Sequence, residues 1–414
     1  MDSISDIIFY VLAFISVYVQ VFLLLTFLEN RKKIDRKEGE IKLKKYPGVT
    51  IIVPCWNEES TVYKTVRSIL NLNYPKNKVQ IILVDDGSTD GTWRVISKFA
   101  KYQNVKVFKQ ENGGKYTALN LGLSHTETDF LGCLDADSVA DKDSLLRIMQ
   151  YFEENSSLMA VTPSIVVGQA HNVIEKAQKA EYFMAVYVKK MLSFLGAIHV
   201  TPGPLTIFKK KVFDDLGPYR HAHNTEDMEI AYRMQQHYYP IEQCHDAFVY
   251  TGTPPSIKKL YKQRVRWIYG FINNTLDYRK ILFRKKYGNF SLFTVPAGIL
   301  ATIAAGYIFG KVIYSTSELL SGKILEYRTI GLDITPKWGT FDPFFVNTES
   351  IFFISIIIYV LVILSVVLGY KMVKAKGVVS LDVIYFFFIF SMVAPFWIIK
   401  ALLNTILARK PSWR

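Results

Sequence analysis

Residues 6–28 read DIIFYVLAFISVYVQVFLLLTFL, an apolar run broken only by Gln20. As a helix it is long enough to cross a bilayer. Three further runs close the chain, from Ser291 to about Tyr314, from Ile351 to Gly369, and from Val379 to about Leu403. The long stretch between the first run and these three has a different pattern. The chain therefore reads as a water-exposed body joined to membrane spans. Composition agrees, since 50% of residues are hydrophobic, 21% are charged and the mean hydropathy is +0.16. That is too apolar for an ordinary soluble domain and too charged for a bare membrane bundle.

No basic residue precedes the first run and no small-residue cleavage site follows it, so it reads as an uncleaved anchor. Eight Lys/Arg residues fall between Arg31 and Lys45. The positive-inside rule puts the N-terminus outside and the next segment in the cytoplasm. Ser315 to Glu349 holds three Lys/Arg against five Asp/Glu and reads as an outside loop. The short loop with Lys371, Lys374 and Lys376 reads as cytoplasmic. Four simple spans leave the C-terminus outside, whereas the tail ARKPSWR favours the inside. With Asp382, Pro395 and Lys400 within it, the last run reads as bent or partly interfacial. The net charge of +14 fits anionic lipid or an anionic ligand such as a nucleotide. Nucleic acid is disfavoured, because the cations cluster beside the spans. Cys55, Cys133 and Cys244 are odd in number and scattered, which points to a reducing compartment.

From Val49 to about Phe248, short apolar runs end in polar turns: VTIIVPCWNEE, VQIILVDDGSTDGT, VKVFKQENGG and FLGCLDADS. Helix-period stretches such as STVYKTVRSILNLN and SLLRIMQYF lie among them. Alternation at this spacing predicts an α/β domain, a mostly parallel sheet with helices on both faces. Ligands of such sheets bind beyond the strand C-terminal ends, where the acidic motifs sit.

Each motif has an ordinary reading beside a chemical one. Asn57–Glu58 after the first strand forms a turn with a helix cap at Ser60, or puts polar groups at the sheet edge. Asp85 and Asp86 cap a turn, or accept hydrogen bonds from a base or sugar. Gly113–Gly114–Lys115 is a solvated loop, or a helix start whose N–H groups and lysine receive a diphosphate. Asp135 and Asp137 are a polar strand end, or a pair that holds a hard divalent ion. Glu226 and Asp227 complement a helix dipole behind a Thr225 cap, or supply a general base. YKQRVRWIYG sets Gln263, Arg266 and Trp267 on one helical face. It is a juxtamembrane basic helix with an interfacial Trp, or a platform for a sugar ring beside a phosphate-binding Arg.

The order N-E, D-D-G, G-G-K, D-A-D, T-E-D, Q-R-V-R-W resembles the processive family 2 glycosyltransferases of GT-A fold, which include cellulose, chitin, hyaluronan and poly-N-acetylglucosamine synthases. The resemblance covers the middle domain and the flanking spans. It implies that Asp85 or Asp86 holds the uridine of a UDP-sugar, and that Asp135 and Asp137 hold Mg2+ or Mn2+ with the diphosphate. It implies Asp227 as the base with Glu226 beside it, and Lys115 on the diphosphate. Gln263, Arg266 and Trp267 would close over the donor, with Trp267 under the terminal acceptor sugar. Asn57 and Glu58 would line the donor side. HVTPGPLTIFKK resembles the family's acceptor-side turn, with Pro202 where Ser or Cys is common, and Trp56 stands where Tyr is common.

The implied arrangement is an anchor over 1–30, a basic linker over 31–48, a cytoplasmic catalytic domain over 49–250, interfacial helices over 251–290 and a membrane region over 291–414. The implied setting is a multi-pass protein of the plasma membrane, working on a growing glycan, alone or with a membrane partner or second copy. Ile174 to Leu195 reads either as a helix at the membrane surface or as an ordinary domain helix. UDP-N-acetylglucosamine is the first-choice donor, on the short architecture and the KPSWR tail. Hyaluronan, chitin or cellulose synthesis is the alternative, as is single transfer to a lipid carrier or oligosaccharide. A catalytically dead scaffold would need a lost carboxylate, and all are present.

Overall fold

The computed structural model describes residues 4–34, 42–331, 350–373 and 381–411. Arg36, Lys37, Lys374, Lys376 and the tail beyond Pro411, all used in the topology argument above, lie outside the described residues. In chain order the elements are α1 (Ile4–Ile34), β1 (Val49–Cys55), α2 (Val62–Leu70), β2 (Val79–Asp86), α3 (Thr92–Ser97) and β3 (Val105–Gln110). Then come α4 (Lys115–Ser124), β4 (Phe130–Cys133), β5 (Ser138–Ala140), α5 (Ser144–Glu154), β6 (Ala160–Val167) and α6 (Val173–Phe194). β7 (Ile207–Lys209), α7 (Lys211–Leu216), α8 (Glu226–Gln236), β8 (Ile241–Thr251) and α9 (Ile257–Asp277) complete the middle domain. α10 (Val295–Ile330), α11 (Ser350–Met372) and α12 (Asp382–Ile406) close the chain.

The sheet order is β3-β2-β1-β4-β7-β6-β8-β5. The β3-β2-β1-β4 block is parallel throughout, while β7 and β5 pair antiparallel with their neighbours. Its inner strands β1, β2 and β4 are largely buried on both faces because helices cover both, while the edge strand β3 exposes Lys106 and Lys109. Ile51, Val53, Ile81 and Leu83 face one core, with α2 and α5. Ile52, Ile82 and Val84 face the other, with α4, α6 and α8. All four strand-and-turn runs picked out above form β1 to β4, and their motifs sit together at the C-terminal edge.

Among the described residues, four helices are long and apolar enough to cross a membrane: Ile7–Ile34, Phe290–Thr329, Phe352–Met372 and Asp382–Ile406. One expectation needs correcting. Ser315 to Glu349 is expected from its charges to be a loop, yet α10 continues through its first part to Ile330, and residues 332–349 lie outside the described residues. Its charges sit on strong helix formers and pair locally, Lys323 with Glu326 at 2.7 Å. α6 packs Ala177, Ala180 and Phe183 against Val366 of α11 and Val383, Phe386 and Ile389 of α12. A methyl group on Gly369 would lie 1.8 Å from Phe183 O, so only glycine lets α11 come this close. Asp382, at the start of α12, lies 3.8 Å from Lys179 of α6. The three cysteines are buried and form no disulfide.

Candidate active site

β2 ends in Asp85 and Asp86, both buried. Asp86 accepts from Gly113 N at 3.1 Å, Gly114 N at 3.0 Å and Gln110 Nε2 at 2.6 Å. The glycine-loop amides offered above to a diphosphate are therefore engaged by Asp86, which shapes the loop ahead of α4. Gly114 has φ +93, a conformation that glycine adopts without strain. Asp85 accepts from Ser88 N at 3.2 Å through Oδ1, and its Oδ2 has no hydrogen-bond partner. Of the two acids, Asp85 keeps a spare acceptor. Asn57, at φ 55, accepts from Thr89 N at 2.8 Å and ties the loop after β1 to the loop after β2. Glu58 accepts from the Thr61 hydroxyl at 2.6 Å. Thr61, not Ser60, stands at the α2 N-cap, and its side chain makes no cap bond.

Lys115 opens α4, and its ammonium lies 2.7 Å from Asp135 Oδ1 and 3.1 Å from Glu226 Oε1. Burial opposes the charge, yet these two carboxylates hold the lysine well above its usual range. Burial, followed by Asp135 and Glu58, pushes the Asp137 carboxyl up to about 6. Burial and the neighbouring Glu226 push Asp227 up to about 6, against the pull of Lys115 and Arg266. Glu226 moves the other way. Burial alone would raise it, but Lys115, and more weakly Arg266, hold it below the usual range. Two adjacent acids are thus set apart, one a fixed ion-paired carboxylate and the other titrating near neutrality.

The Thr225 hydroxyl donates to Ala222 O at 2.9 Å instead of capping α8. Thr201 binds Asp227 O through its N–H at 3.1 Å and its hydroxyl at 2.8 Å. Two residues further on, a methyl group on Gly203 would meet Lys115 Nζ at 2.7 Å and Asp135 Oδ1 at 2.8 Å. The Pro202–Gly203 turn therefore lies against the lysine and the first acid of the D-A-D pair. Local pattern gave Thr201 no role, because its partner lies 26 residues away.

Gln263, Arg266 and Trp267 lie on α9. Arg266 lowers both Glu226 and Asp227 through its charge, which sets it beside the T-E-D turn. Gln263 Oε1 is buried with no hydrogen-bond partner. Trp267 is half-buried, with the Arg264 guanidinium 4.2 Å from its ring centroid. The structure joins Lys115, Asp135 and Glu226 by contact, and Asp137, Asp227 and Arg266 by electrostatic reach. Glu58 links this cluster to the ends of β1 and β2, where Asn57, Asp85 and Asp86 stand.

The acids suit a divalent ion. The charge of Asp135 raises the cost of ionising Asp137, which a cation between them would relieve. Among the described residues no set of three His, Cys, Asp or Glu side chains is placed to hold a metal. Two protein carboxylates leave the other positions to water and ligand oxygens, as a hard ion on a diphosphate requires.

The glycosyl transferase family 2 model matches residues 50–217. A poly-β-1,6-N-acetyl-D-glucosamine synthase of Staphylococcus epidermidis is 32% identical over 313 residues, covering 75% of this chain and 73% of the relative. A synthase of the same name from Staphylococcus aureus (strain COL) is 31% identical over 236 residues, covering 56% of this chain and 57% of the relative. The mannosyltransferase PcManGT of Pyrobaculum calidifontis, solved with GDP-Man and Mn2+, superposes with a TM-score of 0.53 at 19% identity. That match covers 77% of this chain and 94% of that one and shows a common GT-A fold. By its match to the family model and to these synthases, the chain belongs to glycosyl transferase family 2 and is a glycosyltransferase.

Proposed function

We propose that the protein is a membrane-embedded processive synthase that builds β-1,6-linked poly-N-acetylglucosamine from UDP-N-acetylglucosamine. The observation that carries this reading is the convergence of Lys115, Asp135, Glu226 and Asp227 beside α9, in a chain 32% identical to a synthase of that polymer. The membrane setting rests on the four long apolar helices and on α6 packed against two of them. The catalytic domain sits on the cytoplasmic face, under the positive-inside argument.

The reaction is a single displacement. The acceptor hydroxyl attacks the anomeric carbon of the α-linked donor, the bond from that carbon to the diphosphate oxygen breaks, and UDP leaves. Asp227 takes the hydroxyl proton as the new bond forms, and one inversion gives a β-linkage. Glu226 stays ionised against Lys115 and keeps Asp227 basic. Asp85 receives the uridine through its spare oxygen, with Asp86 bracing the loop below it, while Asn57 and Glu58 border the donor. Lys115 and Arg266 face the diphosphate as fixed cations. Asp135 and Asp137 would hold Mg2+ or Mn2+, which would supply neutralisation of the charge left on UDP. Gln263 closes over the donor with Arg266, and Trp267 holds the terminal acceptor sugar, the indole lying flat on its C–H face.

Radiolabelled transfer from a panel of UDP-sugars tests this reading, using purified full-length protein in lipid vesicles. The expected product is labelled from UDP-N-acetylglucosamine and cut by a β-1,6-specific glucosaminidase. Label transferred only from UDP-glucose or UDP-glucuronate, or a product resistant to that enzyme, contradicts it.

A further inference from the structure

Arg264 is the charged residue in the Q-R-V-R-W stretch to which the reading above gives no task. It is buried, and its Nη2 lies 2.6 Å from Glu181 Oε2 on α6. Its guanidinium lies 4.2 Å from the Trp267 ring centroid and 5.8 Å from that of Phe390 on α12. Its Nε has no hydrogen-bond partner. The group is thus held by one charged hydrogen bond and two aromatic faces. A planar guanidinium that stacks on an indole one helical turn away fixes the tilt of that ring. A carboxylate that fixes the guanidinium fixes the ring at second hand. Glu181 stands on the helix that packs on α11 and α12, so the ring is referenced to the membrane helices as well as to α9.

We infer that Glu181 and Arg264 are positioning residues that hold the Trp267 indole in the plane required to receive the terminal acceptor sugar. This rests on the assignment of Trp267 as the acceptor platform. An arginine that served only to neutralise a membrane-proximal carboxylate would need no ring beneath it. Lysine would pair with Glu181 equally well but would lack the flat face, so the two roles separate by substitution.

The test is a double-mutant cycle in full-length protein in vesicles, with UDP-N-acetylglucosamine as donor and a β-1,6-linked N-acetylglucosamine pentamer as acceptor. Glu181→Gln and Arg264→Lys are each expected to raise the acceptor KM about fivefold or more. The donor KM should stay within about twofold of wild type. In a Trp267→Ala background, Glu181→Gln should add nothing further to the acceptor KM, because its effect passes through the ring. Thermal unfolding identifies any variant that fails to fold, and Arg264→Lys then carries the same cycle. An unchanged acceptor KM in the folded single variants overturns the inference, as does the same rise with and without Trp267. If Trp267→Ala itself leaves the acceptor KM unchanged, the platform assignment fails and the inference fails with it.

Discussion

Gly270 on α9 meets Thr225, the residue ahead of α8, with no room between them: a methyl group on the glycine would lie 2.3 to 2.9 Å from the threonine side chain. One turn further along α9, buried Asn274 donates to Thr225 Oγ1 at 2.8 Å. The helix that carries Gln263, Arg266 and Trp267 is therefore docked directly on the turn that presents Glu226 and Asp227. Gly270→Ala gains helix propensity but forces the two elements apart. It should cost about 1–3 kcal/mol of stability and lower turnover, as read by thermal unfolding and UDP release. Asn274→Ala leaves the close approach intact, so it should retain more activity than the alanine at Gly270.

With Asp227 as the proposed base, the pH dependence follows from its carboxyl, raised to about 6 by burial and Glu226. A base must be ionised to accept a proton. Turnover should therefore plateau above about pH 6 and fall about tenfold per pH unit below it. Lys115 favours the ionised form, so Lys115→Met should move the ascending limb to higher pH. Asp227→Asn should abolish transfer yet retain UDP binding by calorimetry. Near-normal elongation by that variant would reassign the base.

Removing Lys115 also strands its two partners. The Glu226 side chain is 6% exposed and that of Asp135 31%. Loss of the ammonium should destabilise the domain by about 1–3 kcal/mol, discounted for the exposure of Asp135. Adding Glu226→Gln to Lys115→Met should recover part of that stability, by denaturant titration, without restoring transfer. Full additivity of the two losses would show that the pair does not interact.

Chelation with EDTA should stop transfer, and Mg2+ or Mn2+ should restore it. Asp137→Asn should raise the concentration of ion needed for half-maximal activity by about tenfold or more, the usual scale for weakening a metal site. Activity indifferent to both treatments would remove the ion from the Asp135–Asp137 pair.

The sequence revealed the strands whose register carries the chemistry, because β1, β2 and β4 are largely buried on both faces and read as apolar runs broken only by Thr50 and Gln80 before the closing acids of β2. It did not reveal β8, where buried Gln243 and His245 interrupt the pattern. The residues around D-D-G, D-A-D and T-E-D were legible as acids at strand and helix ends. What joins them was not. Asp86 fastens the glycine loop, Thr225 is gripped by Asn274 49 residues later, and Glu181 reaches Arg264 across 83 residues. Such contacts are set by tertiary packing, and no local periodicity encodes them.

The central claim is that one docked pocket extends a single glycan many times before letting go. The most direct measurement is product length early in the reaction, with labelled pentamer in large excess over protein. The account predicts long chains while most pentamer remains untouched. A ladder in which every acceptor grows by one sugar at a time would contradict it.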